Sequence, residues 1–266
     1  MSNSIRKWIF VLTVPVLVVG ILGMMGGGAG HGVTLQSANV NFDDKASLQR
    51  GAKYYQNYCS GCHSLRFSRF NRVAKDIGLN AENGFSDDDV TTLLNENLIF
   101  IRGEDGKKVK VGSLMKTAYN PKAAAEAFGA SVPDLSLVGR SRGADWIYSY
   151  LNGFYLDPSR PTGMNNTVFK DVGMPHVLGN LQGWQTLDHN KGDEHHGAPK
   201  LSLSKPGSMT GAEYDKLTRD ITNFLAYVSE PAQLSRKMYG IFTLLFLMVL
   251  FGFAYALSKE YWKDIH

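Results

Sequence analysis

The 266 residues contain two cysteines, and both lie in "YCSGCHS", Tyr58 to Ser64. Cys59 and Cys62 stand three positions apart, and His63 follows the second. Cys-x-x-Cys-His is a covalent heme attachment pattern. The spacing sets both thiols along one edge of a porphyrin, where each can add to a vinyl group. The next residue then aims its imidazole at the iron. One motif implies one heme. Three rival uses of the same residues stay open. A disulfide is geometrically feasible and export would permit it. A thioredoxin-like dithiol calls for a βαβ context, which the sequence lacks. A zinc site needs a fourth ligand, and no second Cys/His pair of suitable spacing follows.

The elements that must position this motif are mostly helical. In "SLQRGAKYYQNYC" Leu48, Ala52, Tyr55 and Cys59 share one face, which predicts a helix ending at the first cysteine. "SDDDVTTLLNENLI" opens with Ser86 and Asp89 at capping-box spacing, then places Val90, Leu93, Leu94 and Leu98. "ADWIYSYLNGF" predicts a short aromatic helix stopped at Gly153. "TGAEYDKLTRDITNFLAYVSEP" has a second capping box, Thr210 and Glu213. Its expected buried face is Tyr214, Leu217, Ile221, Leu225 and Val228, and Pro231 ends it. Strand signals are scarce, and "DHNKGDEHHGAPKLSLSKPGS", Asp188 to Ser208, reads as a loop. The expectation is a mainly α domain with long loops.

Two apolar blocks frame that domain. Arg6 and Lys7 precede an apolar run from Ile9 to Met25, and small residues follow. This is the pattern of a secretory signal over residues 1–28, with an uncleaved anchor as the rival reading. Met238 to Leu257 is 20 residues without a charge, flanked by Arg236, Lys237, Lys259 and Lys263. At 1.5 Å per residue it spans about 30 Å, one hydrocarbon core. The expected order is a signal, a periplasmic heme domain over 29–235, a membrane helix over 236–258 and a cytoplasmic tail over 259–266. Attachment of heme outside the cytoplasm agrees with export. The formal charge of +4, with no basic stripe interleaved with aromatics, gives no footprint for nucleic acid.

At this point the chain resembles the cytochrome c1 family. The resemblance rests on "YCSGCHSLRF", on "PDLSLVGRSRGADWIYSYL" (Pro133 to Leu151), on "VGMPHVL" (Val172 to Leu178), and on one membrane helix after "YVSEP". "RPTGMNNTVFKDVGMP" resembles the proteobacterial members. The resemblance implies a single-heme, class I-like cytochrome c domain with one covalent heme c. It implies His63 and Met174 as axial ligands and the Pro133 carbonyl as the group that orients the histidine ring. Arg142 corresponds to an arginine near the heme propionates, with Arg140 as its substitute, and Trp146 to an aromatic packed by the heme. It implies electron transfer from a Rieske iron–sulfur protein to a soluble or anchored cytochrome c, beside cytochrome b, in a dimeric quinol–cytochrome c reductase of the bacterial inner membrane. As an isolated chain this would be an electron carrier with no substrate site of its own. Some relatives carry further cysteines that form a disulfide, and this chain has none.

Bland readings stand beside these. Spacing alone leaves Met164 and Met174 comparable as ligands, and the resemblance favours Met174. Met115 and Met209 are the other methionines of the middle region. His31, His176, His189, His195, His196 and His266 are expected to be non-ligands, with His176 first in line should Met174 fail. Between Asp76 and Asp105 eight acidic residues face one basic residue, Arg102. That run is either a solvated face or a docking field for a basic acceptor. The rival functions are a membrane-anchored cytochrome serving a terminal oxidase, and a heme peroxidase with an open sixth position.

Overall fold

The computed structural model describes residues 34–102, 106–117, 119–129, 131–188 and 200–264. The signal segment, Glu104, Asp105, most of the 188–200 stretch, and His31, His189, His195, His196 and His266 lie outside the described residues.

The domain is built on two crossed helices. Helix α1, Lys45–Tyr58, starts where the Asp44 side chain accepts from the Ser47 amide, 2.9 Å. It buries Leu48, Ala52 and Tyr55, and Cys59 caps its end. α1 packs on the long helix near the C-terminus, Gly211–Ser229, whose buried face includes all five residues expected of it. That helix opens with the Thr210–Glu213 capping box, as Ser86 and Asp89 open the helix Asp87–Asn97. The two main helices touch at Gly51. A Cβ there would lie 2.1 Å from the Asp220 carbonyl oxygen and 2.7 Å from Phe224 Cβ, so only glycine allows the crossing. Asp220 is buried beside it and is satisfied by Ser47 Oγ at 2.7 Å and by Arg50 Nε at 2.6 Å.

Between these come Phe70–Asp76 (α2), Asp87–Asn97 (α3), Pro121–Phe128 (α4), Val138–Ser141 (α5), Ala144–Asn152 (α6) and Gly179–Gln182 (α7), with Gly211–Ser229 as α8. Both α2 and α4 were missed in the sequence. α2 is only seven residues, too short to show a period, and α4 is eight, announced by Asn120 as cap and Pro121 in the first turn. α6 ends at Gly153 and packs on α8, where Tyr214 Oη donates to the Leu151 carbonyl at 2.9 Å. The fold is mainly α, with six short strands in three antiparallel pairs among the described residues. These are Leu65–Arg69 (β1) with Leu114–Met115 (β2), Phe154–Leu156 (β3) with Met164–Asn166 (β4), and Gly183–Leu187 (β5) with Leu201–Pro206 (β6). β6 corrects the reading of Asp188 to Ser208 as loop throughout. The alternation Leu201, Ser202, Leu203, Ser204 covers only four residues inside a polar, Pro- and Gly-containing stretch, and the strand's side chains are mostly exposed, so the surrounding polarity outweighs the signal.

Helix α9, Gln233–Tyr261, contains a 24-residue stretch, Met238–Tyr261, long and apolar enough to cross a membrane. Its large apolar side chains are exposed on all sides, as suits a lipid-facing span and not a buried core helix.

Candidate heme site

The turn after α1 brings the attachment motif together. The Cys59 carbonyl accepts from the amides of both Cys62 (3.1 Å) and His63 (2.9 Å), so all three residues share one turn. Tyr55, one turn earlier on the buried face of α1, donates its hydroxyl to the His63 carbonyl at 2.7 Å. Thr117 Oγ1 donates to the Gly61 carbonyl at 2.7 Å, and the Thr117 amide donates to Ser64 Oγ at 2.8 Å. The turn is therefore fixed from below by α1 and from the side by a segment more than fifty residues away. Both cysteines are free. Burial, aided by neighbouring Cys62, pushes the Cys59 thiol up to about 12 and keeps it protonated.

His63 is half-buried, and its Nδ1 lies 2.8 Å from the Pro133 carbonyl oxygen. Burial lowers its pKa and outweighs the opposing effects of the Pro133 hydrogen bond and the Asp134 charge. The ring is thus neutral at pH 7 and carries one proton. A carbonyl can only accept, so that proton sits on Nδ1 and the Nε2 lone pair is left for a metal.

Pro133 is held by its neighbour. Asp134 Oδ2 accepts from the Arg66 amide and from Arg66 Nε, both at 3.1 Å, and Oδ1 accepts from the Ser136 amide at 2.9 Å. The Leu135 amide adds a bond to the Ser64 carbonyl at 2.9 Å. Residues 133–136 are thereby laced to 64–66.

Met174 sits on the loop after β4. That loop is built by two buried asparagines. Asn165 Oδ1 accepts from the amides of Asn166 and Asp171, each at 2.9 Å. Asn166 Oδ1 accepts from the amides of Val168 (2.9 Å) and Phe169 (3.2 Å), while its Nδ2 donates to the Tyr150 carbonyl at 2.8 Å. The structure separates the two methionines that spacing left comparable. Met164 is 3% exposed within β4, where it pairs with Leu156, whereas Met174 is half-buried on the loop with its sulfur 3.3 Å from Tyr150 Oη. Met115 is buried in the core and Met209 packs against it.

Trp146 and Tyr150 stand one turn apart on α6 and stack at 5.0 Å between centroids. The exposed guanidinium of Arg142 lies over the Trp146 ring, 5.3 Å from its centroid, and Arg140 is exposed. His176 is buried, stacked on Phe154 at 4.8 Å, and Nε2 has no hydrogen-bond partner. Burial lowers its pKa to about 4, so it is neutral, and it is enclosed by Phe154 and Trp184.

Sequence reasoning missed Tyr55, Thr117, Asp134 and Tyr150. Tyr150 could have been found, because it lies four residues after Trp146 on the same helical face. Thr117 carries no local signal.

The donor set fits a heme. It offers two unbridged thiols, an imidazole with one nitrogen already committed, and a thioether on a separate loop. Among the described residues no three His, Cys, Asp or Glu side chains converge on a point, as a zinc site would require. Exposed apolar residues adjoin the site residues in sequence: Phe67 after the motif, Leu137 after Pro133, and Phe169 and Val177 on either side of Met174.

Residues 36–265 match the Cytochrome C1 family. A cytochrome c1 of Allochromatium vinosum is 48% identical over 241 residues, covering 90% of this chain and 92% of that protein. A Nitrosomonas europaea protein named ammonia monooxygenase gamma subunit is 44% identical over 238 residues, with 90% and 92% covered. A cytochrome b/c1 of Bradyrhizobium diazoefficiens is 25% identical over 248 residues, covering 84% of this chain and 34% of that longer protein. A family match that spans the heme-motif helix, the methionine loop and the membrane span, together with a relative 48% identical over 90% of the chain, leaves one conclusion: this chain belongs to the Cytochrome C1 family of heme-binding electron-transfer proteins.

Proposed function

We propose that this chain holds one heme c, joined by thioether bonds to Cys59 and Cys62 and ligated by His63 and Met174. It would pass electrons from a Rieske iron–sulfur protein to a soluble or anchored cytochrome c. The observation that carries the reading is the 2.8 Å contact between His63 Nδ1 and the Pro133 carbonyl. It fixes the tautomer, aims the ring and makes Nε2 a stronger donor. When bound, heme supplies a one-electron couple whose potential thioether ligation sets high. The chain's own residues do the rest. Cys59 and Cys62 would anchor the group, the Pro133 carbonyl orients His63, and Met174 would supply the second ligand. Trp146 packs, and Arg142 offers charge to the propionates. With His63 and Met174 both holding the group, its iron would have no free position for a substrate.

The heme domain lies on the periplasmic side in this reading, held by α9 beside the membrane subunits. Cytochrome b is the expected neighbour, and the name of the longer relative, cytochrome b/c1, supports it. The complex is expected to be dimeric.

The test is purification in mild detergent, with subunit identification, heme staining and an optical redox titration. Co-purification of a multi-helix cytochrome b and a Rieske protein is expected. A copper–heme oxidase core, or an ammonia-oxidising complex as the second relative's name suggests, would sink the partner assignment. The Cys59→Ala, Cys62→Ala double variant should lose all covalent heme. Low-spin iron at neutral pH is expected, and a strongly high-spin spectrum would favour a peroxidase. A reporter active only outside the cytoplasm should work when fused after Pro231 and be silent at His266.

A further inference from the structure

Tyr150 packs against both apolar clusters of the domain: the main core, which contains Cys59, and the smaller cluster of Phe154, Met164 and Val172, with Met174 beside it. Its backbone and its side chain both grip the methionine loop. The carbonyl accepts from Asn166 Nδ2 at 2.8 Å, and the hydroxyl lies 3.3 Å from Met174 Sδ. The ring that carries the hydroxyl has little freedom. It is stacked on Trp146 with 11° between planes, and meets Phe154 edge-on at 5.2 Å.

We propose that Tyr150 is a positioning residue for the Met174 thioether, donating a hydrogen bond that selects which sulfur lone pair is left for the iron. The inference rests on the reading of Met174 as an axial ligand. A thioether sulfur has two lone pairs and is a weak acceptor. With one pair held by the phenol proton, only the other can bind a metal, so the sulfur configuration and the methionine rotamer are fixed before ligation. The same proton withdraws electron density from the sulfur and adds a positive partial charge beside it. Both effects disfavour the ferric state. Tyr150 therefore raises the potential and holds the ligand in place.

The experiment compares Tyr150→Phe with Met174→Leu in the full membrane complex. Tyr150→Phe keeps the ring, its stacking and the backbone clasp, and removes one proton donor. Covalent heme should remain and the near-infrared sulfur-to-iron band should shift. The ferric/ferrous ratio at a fixed ambient potential should move up to about tenfold toward ferric, about 59 mV for a one-electron couple. Met174→Leu should abolish the band and move the ratio further. If Tyr150→Phe lowers thermal stability but leaves band and ratio unchanged while Met174→Leu moves both, Tyr150 is a packing residue and the proposal is overturned alone. If Met174→Leu moves neither, the axial reading fails and takes the proposal with it. Should Tyr150→Phe not assemble, the unsubstituted protein still decides. Its iron–sulfur stretching mode should shift in D2O if an exchangeable proton is bonded to the sulfur, and an unshifted mode overturns the proposal.

Discussion

Asp134→Ala tests how far the heme ligand depends on its support. Asp134 accepts three hydrogen bonds: from the Arg66 amide and Arg66 Nε, both at 3.1 Å, and from the Ser136 amide at 2.9 Å. The Arg66 guanidinium is 60% exposed, so its share of the ion pair is under about 1 kcal/mol. The two amide bonds to a carboxylate contribute roughly 1.5 kcal/mol each. Ser136 is fully buried, so no water replaces its lost acceptor. The loss should total about 3–4 kcal/mol, which lowers Tm by about 10 °C for a domain of this size. The Leu135–Ser64 backbone bond survives, so the segment loosens without leaving. The midpoint potential should rise by on the order of tens of millivolts, because a less basic imidazole and the loss of a nearby negative charge both disfavour ferric iron. Asp134→Asn, which keeps an acceptor, should lose about half as much stability.

The pH dependence carries a sign. Burial raises the Asp134 pKa, but the hydrogen bonds from Ser136 and Arg66 outweigh it and hold the carboxyl below its usual range. A depressed carboxyl stabilises the fold above its unfolded pKa and loses that contribution as pH falls. The gap between unsubstituted protein and Asp134→Ala should be full at pH 7 and close below about pH 4. A variant whose Tm and potential both match the unsubstituted protein at pH 7 would refute the reasoning.

Gly51→Ala would push a methyl against the Asp220 carbonyl at 2.1 Å. It should cost about 3 kcal/mol or more and deplete heme-stained protein, whereas Gly61→Ala, inside the attachment motif but with nothing within 4 Å of its Cβ, should cost under about 0.5 kcal/mol. For docking, the structure narrows the acidic run. Asp76 is committed to Arg72 at 2.7 Å and Tyr227 at 2.8 Å, and Asp89 is committed to the capping box of α3, which leaves Glu82, Asp87, Asp88 and Glu96 exposed among the described residues, with Asp87 and Asp88 adjacent. If these steer a basic acceptor, Asp87→Asn with Asp88→Asn should flatten the ionic-strength dependence of the electron-transfer rate; an unchanged slope would make the run a solvated face.

What could be read in the sequence was what is encoded over short distances. The α1 face, both capping boxes, the buried stripe of α8 and the stop at Gly153 all depend on neighbours within a turn or two, and the fold contains each of them. The attachment motif is equally local. β6 and α2 were not legible, one because its side chains are mostly exposed and the other because it is only seven residues long. Tyr148, Asp215 and Arg219 form a third kind of case. They share hydrogen bonds, and Arg219 also donates to the carbonyls of Ser37 and Ala38 at 2.9 Å, fastening the segment before α1. None of this follows from spacing.

The contacts that could make the motif an electron-transfer site are of the illegible kind. His63 meets Pro133 across 70 positions, Gly61 meets Thr117 across 56, and Met174 meets Tyr150 across 24. A helical period cannot announce such pairs, because each joins segments far apart in the chain and depends on the tertiary fold to bring them together. That dependence has a mechanical consequence. The histidine side of the site is tied to the close crossing at Gly51, through α1 and Tyr55, whereas the methionine side is tied to α6 and the asparagine pair. Damage at Gly51 should therefore strike heme attachment first. Damage at Asn166 should spare attachment and strike the potential, since both cysteines keep their turn while the thioether loses its support. An Asn166→Ala variant that lost covalent heme as readily as Gly51→Ala would mean the two sides are not independent, and that the site closes as a single unit.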